Sequence, residues 1–344
     1  MGNGVLLSSA ATDLHVVEQL KVLERLKEKR AAEFIKVTQE EFNRILCKIR
    51  EVGKNSPFNR LTEAELAVVD NRVEEYRNHG NIIEIPKDKS AVLNLGINLL
   101  RVNNFSGQKI LTPDEFRNNA DYVAEILLDI LMKQEGFDPE NTIIVTPWRS
   151  ALIMARAAHK KGFRHFLHDN VQRDELTLLN SSVYTEYPSI MSADDITMNK
   201  DLKAFVLDPM GATERTVVKL IDRIVGKGIK PENIRVAHMA SAPEGQVNLI
   251  EKYDKVKTLS GSESDHDSSE GYIVDGLRPD IIIERYDDIR ERDEKLIGDV
   301  GDQYFEGLGT EYADQLREEG MLSDKSYEQL KMRIERHMKK NNHS

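Results

Sequence analysis

Residues 202–224 carry the pattern that most restricts how this chain can fold. An apolar run, 202–207, delivers the acid Asp208 into a short loop. Thr213 and Thr216 then open an amphipathic segment bearing Val217, Val218, Leu220, Ile221 and Ile224. Short apolar runs read as buried strands, and the 3.6-residue spacing after the loop reads as a helix. The helix start offers N–H groups and a positive dipole end to an anion. The acid at the strand end can hold ribose hydroxyls or a metal ion. Taken alone, the unit is equally an ordinary connection of an α/β protein.

The unit recurs along the middle of the chain. Residues 82–85 predict a short strand. Thr112, Pro113 and Glu115 supply the cap, the first-turn proline and the reciprocal acid of a helix start. That helix carries Tyr122, Val123, Ile126, Leu127 and Ile130 and ends near Lys133. A strand over 142–146, a helix after Ser150, a strand over 234–238 and a helix after Pro243 continue the series. Such alternation predicts an α/β fold, a mostly parallel sheet flanked by helices. Ligands of such sheets lie outside the carboxyl ends of the strands, where Arg149 and Asp208 fall.

Three regions follow from this reading. Residues 1–80 form a helical N-terminal extension: Leu14, Val17, Leu20, Leu23 and Leu26 recur at helical spacing, and Thr38 with Glu41 and Thr62 with Glu65 are capping boxes. Phe42, Ile45, Leu46 and Ile49 give the second of these helices a core-facing stripe, and residues 78–81 stop the third. Residues 81–309 are the alternating domain, with a Ser- and Asp-rich loop over 261–270. Residues 310–344 form a helical C-terminal extension, expected as a solvated hairpin. His165, His168 and His238 lack the paired spacing of a zinc site and are expected as packing or surface residues.

Composition narrows the partners. A formal charge of −11 argues against broad binding to nucleic acid or anionic membrane, both polyanions, and leaves room for a local basic pocket. The single cysteine, Cys47, excludes an intrachain disulfide framework and fits a reducing compartment. No run approaches the roughly 18 apolar residues of a membrane span. Residues 1–6 lack the pattern of a myristoylation or secretion signal, so a cytoplasmic protein is expected.

Residues 81–307 resemble the uracil phosphoribosyltransferase family, of the type I phosphoribosyltransferase fold. Residues 206–216 resemble its V-D-P-M-L-A-T-G-G-[ST] phosphate loop, and residues 242–245 match its A-P-E-G turn. Residues 271–277 resemble G-Y-I-[IV]-P-G-L, and residues 298–305 resemble G-D-A-G-D-x-x-F-G. Residues 147–150 stand at P-[IL]-L-R-A-G, and residues 173–177 at the Y-R-D-E-E-T stretch.

The resemblance implies transfer of phosphoribosyl from phosphoribosyl pyrophosphate (PRPP) to uracil, giving UMP and pyrophosphate. It implies that Arg149 and Arg173 contact the pyrophosphate, where planar donors suit phosphate oxygens. Asp208 would accept the ribose hydroxyls and be catalytically essential. Pro209, Met210, Gly211, Ala212, Thr213, Glu214, Arg215 and Thr216 would wrap the 5′-phosphate. Ile273, Gly298 and Val300 would read the base, with Asp299 near the ribose or the metal as the second catalytic acid. Mg²⁺ is expected as cofactor to neutralise the leaving pyrophosphate, and a homo-oligomer, a dimer, as the assembly.

Four departures from the family pattern bear on function. Glu214-Arg215 replaces the glycine pair of the phosphate loop, where glycines allow unusual backbone angles. A carboxylate about 4 Å from a phosphate charge costs on the order of 1 kcal/mol in water and about 4 at an effective dielectric of 20. Weaker PRPP binding is therefore expected, unless Arg215 offsets the charge or Glu214 points outward along the helix. Residues 278–297 interrupt two segments contiguous in the family, and Asp275, Trp148 and Ala151 replace other pattern residues. The segment before the strand at Thr142 is too short for the usual hairpin arm, so subunit pairing is expected to differ. These departures keep open a catalytically weak or inactive nucleotide-binding regulator or scaffold of the same fold.

Overall fold

The structure, a computed structural model, describes residues 37–51, 61–102, 111–147, 152–173, 182–186, 201–211, 213–261, 266–267, 273–274 and 309–319, with helical positions among 324–335. The periodic segment over 14–26 and the segment 278–297 lie outside the described residues.

Three helices begin where their capping residues dictate. Thr38 precedes α1 (Gln39–Glu51), and its N–H donates to Glu41 Oε2 at 2.8 Å while Glu41 N–H donates to Thr38 Oγ1 at 3.2 Å. Thr62 and Glu65 make the same reciprocal pair at the start of α2 (Glu63–Asn78). Thr112 and Glu115 repeat it at α4 (Pro113–Glu135), which closes on the left-handed Gly136. Between α2 and α4 lies α3 (Lys87–Val102), which the apolar pattern did not announce. It crosses α4 closely at Gly96, whose carbonyl accepts from Asn119 Nδ2 at 2.7 Å; a Cβ there would meet Val123 Cγ2 at 2.6 Å.

The remaining elements are β1 (Thr142–Pro147), α5 (Leu152–Lys160), β2 (His165–Arg173), β3 (Ser182–Glu186), β4 (Lys203–Leu207), β5 (Met210–Gly211), α6 (Arg215–Gly226), β6 (Ile234–His238), β7 (Ala240–Ser241), α7 (Pro243–Lys252), β8 (Lys257–Ser260), β9 (His266–Asp267), β10 (Ile273–Val274) and α8 (Glu311–Glu318). Six strands form one sheet in the order β3-β2-β1-β4-β6-β8. All neighbours run parallel except β3, which returns antiparallel along β2. The strand expected over 82–85 is instead one parallel bridge from Ile82 to Thr258 on the outer edge of β8. Pro86, with no N–H to extend a ladder, follows directly.

Alternate strand residues feed two cores, as a sheet covered on both faces requires. Ile144, Phe205, Leu207, Ala237 and Leu259 meet α3, α4 and α5 on one face. Ile143, Val145, Ala204, Val206 and Val236 meet α6 and Leu249 of α7 on the other. The stripe Phe42, Ile45, Leu46 and Ile49 is buried, packed with α2 against Val247 and Ile250 of α7.

The C-terminal helices are no solvated hairpin. Tyr312, Leu316, Tyr327, Leu330 and Ile334 belong to the first core, with Ile334 fully buried. Their charged faces hid an apolar stripe that packs with the α4–α5 layer. Among the described residues, no helix is long and apolar enough to cross a membrane.

Candidate functional site

The central strand β4 ends at Asp208, whose N–H donates to Ala237 O of neighbouring β6 at 3.1 Å. The chain then crosses the carboxyl edge of the sheet instead of rising straight into a helix. Pro209 O accepts from Met239 N–H at 3.0 Å and from Ala240 N–H at 3.1 Å, and Gly211 O accepts from Ala242 N–H at 2.8 Å. β5 and β7 thereby form a parallel two-stranded ribbon that zips the loop after β4 to the loop after β6. Thr213 is fixed from α7, where Asn248 Nδ2 donates to its carbonyl at 2.8 Å. Arg215 Nε donates back to Thr213 Oγ1 at 3.3 Å.

Glu214 is the N-cap of α6 and has φ 58° and ψ 12°, the only left-handed non-glycine among the described residues. A glycine takes such a conformation without penalty, whereas another residue costs about 1–3 kcal/mol. The expectation that this side chain would point outward or stand beside the phosphate is corrected here. Its carboxylate turns under the loop and is wholly buried, with Oε1 2.8 Å from Nε2 of His238. This is an ion-pair approach and not an aligned hydrogen bond.

The other ring nitrogen, Nδ1, lies 2.7 Å from the carbonyl oxygen of Asp208. A carbonyl only accepts, so Nδ1 carries the proton and Nε2 faces the acid. His238 is therefore buried in the site, not a plain packing residue. Burial alone would lower its pKa, but the Glu214 carboxylate, followed by the charge and carbonyl of Asp208, outweighs burial and raises it above the ordinary imidazole value. Breaking a buried acid–base pair typically costs about 3–5 kcal/mol.

Space for the buried acid comes from Gly211. A Cβ on that residue would lie 1.9 Å from Glu214 Oε1 and 3.0 Å from His238 Cε1. Sequence reading missed both partners of Glu214. The signal was present: Gly211 stands at the leucine of the V-D-P-M-L-A-T-G-G pattern, three residues before the glutamate that replaces a glycine.

Asp208, Pro209, Met210, Gly211, Thr213, Glu214, Arg215 and Thr216 are thus brought into one loop at the sheet edge, with Asp208 and Thr213 buried. Arg173 ends β2, four residues beyond Asp169, the partner of Pro147, hence ~13 Å of strand past the end of β1. Its backbone belongs to the β2–β3 ribbon that extends beyond the sheet. Ile273 pairs with Asp267 in the β9–β10 ribbon, and β9 packs beside α7. Arg149, Ala212, Gly298, Asp299 and Val300 lie outside the described residues. Residues 242–245 cap and open α7, the helix expected after Pro243, with Pro243 in its first turn. Among the described residues, no group of three or more His, Cys, Asp or Glu side chains could hold a metal.

A mostly parallel sheet flanked by helices, whose central strand delivers an acid and then a helix start, is the arrangement expected of the type I phosphoribosyltransferase fold. Residues 118–278 match the family described as uracil phosphoribosyltransferase. A uracil phosphoribosyltransferase of Dictyostelium discoideum is 35% identical over 107 residues, covering 31% of this chain and 46% of the relative. The chloroplastic uracil phosphoribosyltransferase of Arabidopsis thaliana is 30% identical over 145 residues, 42% of this chain and 47% of the relative. The chain therefore spans about half the length of the curated relatives it matches. Among solved structures, a protein of Aquifex aeolicus is similar with a TM-score of 0.45 at 18% identity, covering 56% of this chain and 91% of its own. The orotate phosphoribosyltransferase of Mycobacterium tuberculosis in complex with PRPP gives a TM-score of 0.32 at 14% identity, covering 51% and 96%.

Proposed function

We propose that this protein transfers phosphoribosyl from PRPP to uracil, releasing UMP and pyrophosphate. The observation that carries the reading is the loop 208–216, pinned to β6 and α7 so that an acid and a helix N-terminus face the same end of the sheet. In the reaction N1 of uracil bonds to C1′ as the C1′–O bond breaks. Pyrophosphate leaves with that electron pair, and the N1 proton passes to solvent or to the leaving group. Asp208 accepts the ribose hydroxyls and orients the sugar. The start of α6, with Thr213 and Thr216, binds the 5′-phosphate. Arg149 and Arg173 take the pyrophosphate, and Ile273, Gly298, Asp299 and Val300 complete the base and ribose contacts. Mg²⁺, when bound, would supply neutralisation of leaving-group charge, with Asp299 the residue expected near it. Catalysis is positioning plus electrostatic support of a cationic ribose centre, with no protein nucleophile.

A second reading, a nucleotide-binding regulator without turnover, is favoured by Glu214 with its buried acid at a glycine position. Incubating the protein with PRPP, Mg²⁺ and a panel of bases while measuring pyrophosphate release separates the two. Uracil-dependent release, reduced at least about a hundredfold in Asp208→Asn, supports the transferase. Nucleotide binding without release supports the regulator, and full activity of Asp208→Asn overturns the site.

A further inference from the structure

The glycine pair of related phosphate loops works through backbone freedom, and this chain lacks it. In its place stand three residues that fit one another. His238 reaches both ends of the loop, with Nδ1 at the Asp208 carbonyl and Nε2 at the Glu214 carboxylate. Gly211 leaves the volume that the carboxylate fills. Each would be costly alone: a left-handed glutamate, a buried imidazole, and a glycine inside a strand pair. We propose that Glu214 and His238 are positioning residues of the phosphate loop, a buried acid–imidazole strut that does here what two glycines do elsewhere, with Gly211 as its socket. The inference rests on the reading of residues 208–216 as the phosphate site.

The strut also couples protons to anion binding. With Nε2 protonated, imidazolium and carboxylate together carry no net charge. Without that proton a carboxylate remains buried under a loop that must accept a phosphate dianion. Of the charged groups on the neighbouring segments, namely Asp208, Glu214, Arg215 and, at the start of α7, Glu244, the carboxylates of Glu214 and Asp208 act on the ring. Both favour its protonated form, so the neutral pair persists above the usual imidazole range. Affinity for a phosphorylated sugar is expected to fall as pH rises through the raised value.

The test uses the full chain with ribose 5-phosphate as probe. Hydrogen exchange of residues 208–216 in ligand-free protein reports the strut, and calorimetry between about pH 5.5 and 9 reports the coupling. Glu214→Gln, nearly isosteric, is expected to speed exchange in the loop about tenfold and to flatten the affinity–pH profile. Glu214→Gly, which relieves the left-handed strain and guards against misfolding, is expected to flatten the profile as well. Unchanged loop exchange in Glu214→Gln, or an unchanged profile in either variant, overturns the strut while leaving phosphate binding intact. Wild-type protein that ignores ribose 5-phosphate, yet shows faster loop exchange in Glu214→Gln, retains the strut and overturns the function proposed above.

Discussion

At the scale of single residues, the site depends on a small-for-large exchange paired with a large-for-small one. A Cβ added at Gly211 would sit 1.9 Å from a buried carboxylate oxygen. Gly211→Ala is expected to cost about 1–3 kcal/mol through overpacking, read as a lower midpoint in urea. In a Glu214→Gly background the acid is gone, and at least half of that penalty should vanish. Additive effects in the four-protein cycle would show that the two positions do not share space. His238 adds a pH term with a definite sign. Its folded pKa is raised, so its contribution to stability is complete below the ordinary imidazole value of 6.5 and is lost as pH climbs through the folded value. The motif around Asp208 was legible in the sequence because its residues are contiguous. The Glu214–His238 contact was not, because it joins residues on different strand–helix units and depends on a side-chain direction that spacing leaves open.

At the scale of elements, local chemistry and tertiary demand divide the fold between them. The capping boxes at Thr38, Thr62 and Thr112 were readable because both partners lie within one turn, and each forms. Thr112→Ala removes the side-chain acceptor for Glu115 N–H at 3.3 Å and half of a reciprocal pair. It should cost about 1 kcal/mol, seen as a lower thermal midpoint with the far-ultraviolet circular dichroism of the folded state unchanged. Helix α3 escaped notice because Val92 and Leu95 are exposed while Leu93 and Gly96 are buried, which blurs the apolar stripe. Strand β2 escaped because only its first half pairs with β1. Phe166 and Leu167 meet the cores there, and the polar half runs on into the ribbon with β3.

At the scale of the whole molecule, the matched segment 118–278 does not close its own core. Leu93, Ile97 and Leu100 enter it from one side in sequence, and Tyr312, Leu316, Leu330 and Ile334 from the other. Ile334 is completely buried, so Ile334→Ala should cost about 2–5 kcal/mol. It should shift a single cooperative transition that also reports the sheet. A separate early transition, with the sheet untouched, would instead mark the C-terminal helices as an independent unit.

The short stretch Asn81 to Ile83 lies along the outer margin of β8, where the N–H and C=O of Thr258 are both engaged. Exposed margins are templates on which another strand can settle. Here that seam is already sewn shut at Thr258, so growth of the sheet into a neighbouring copy at this point would first have to displace residues 81–83.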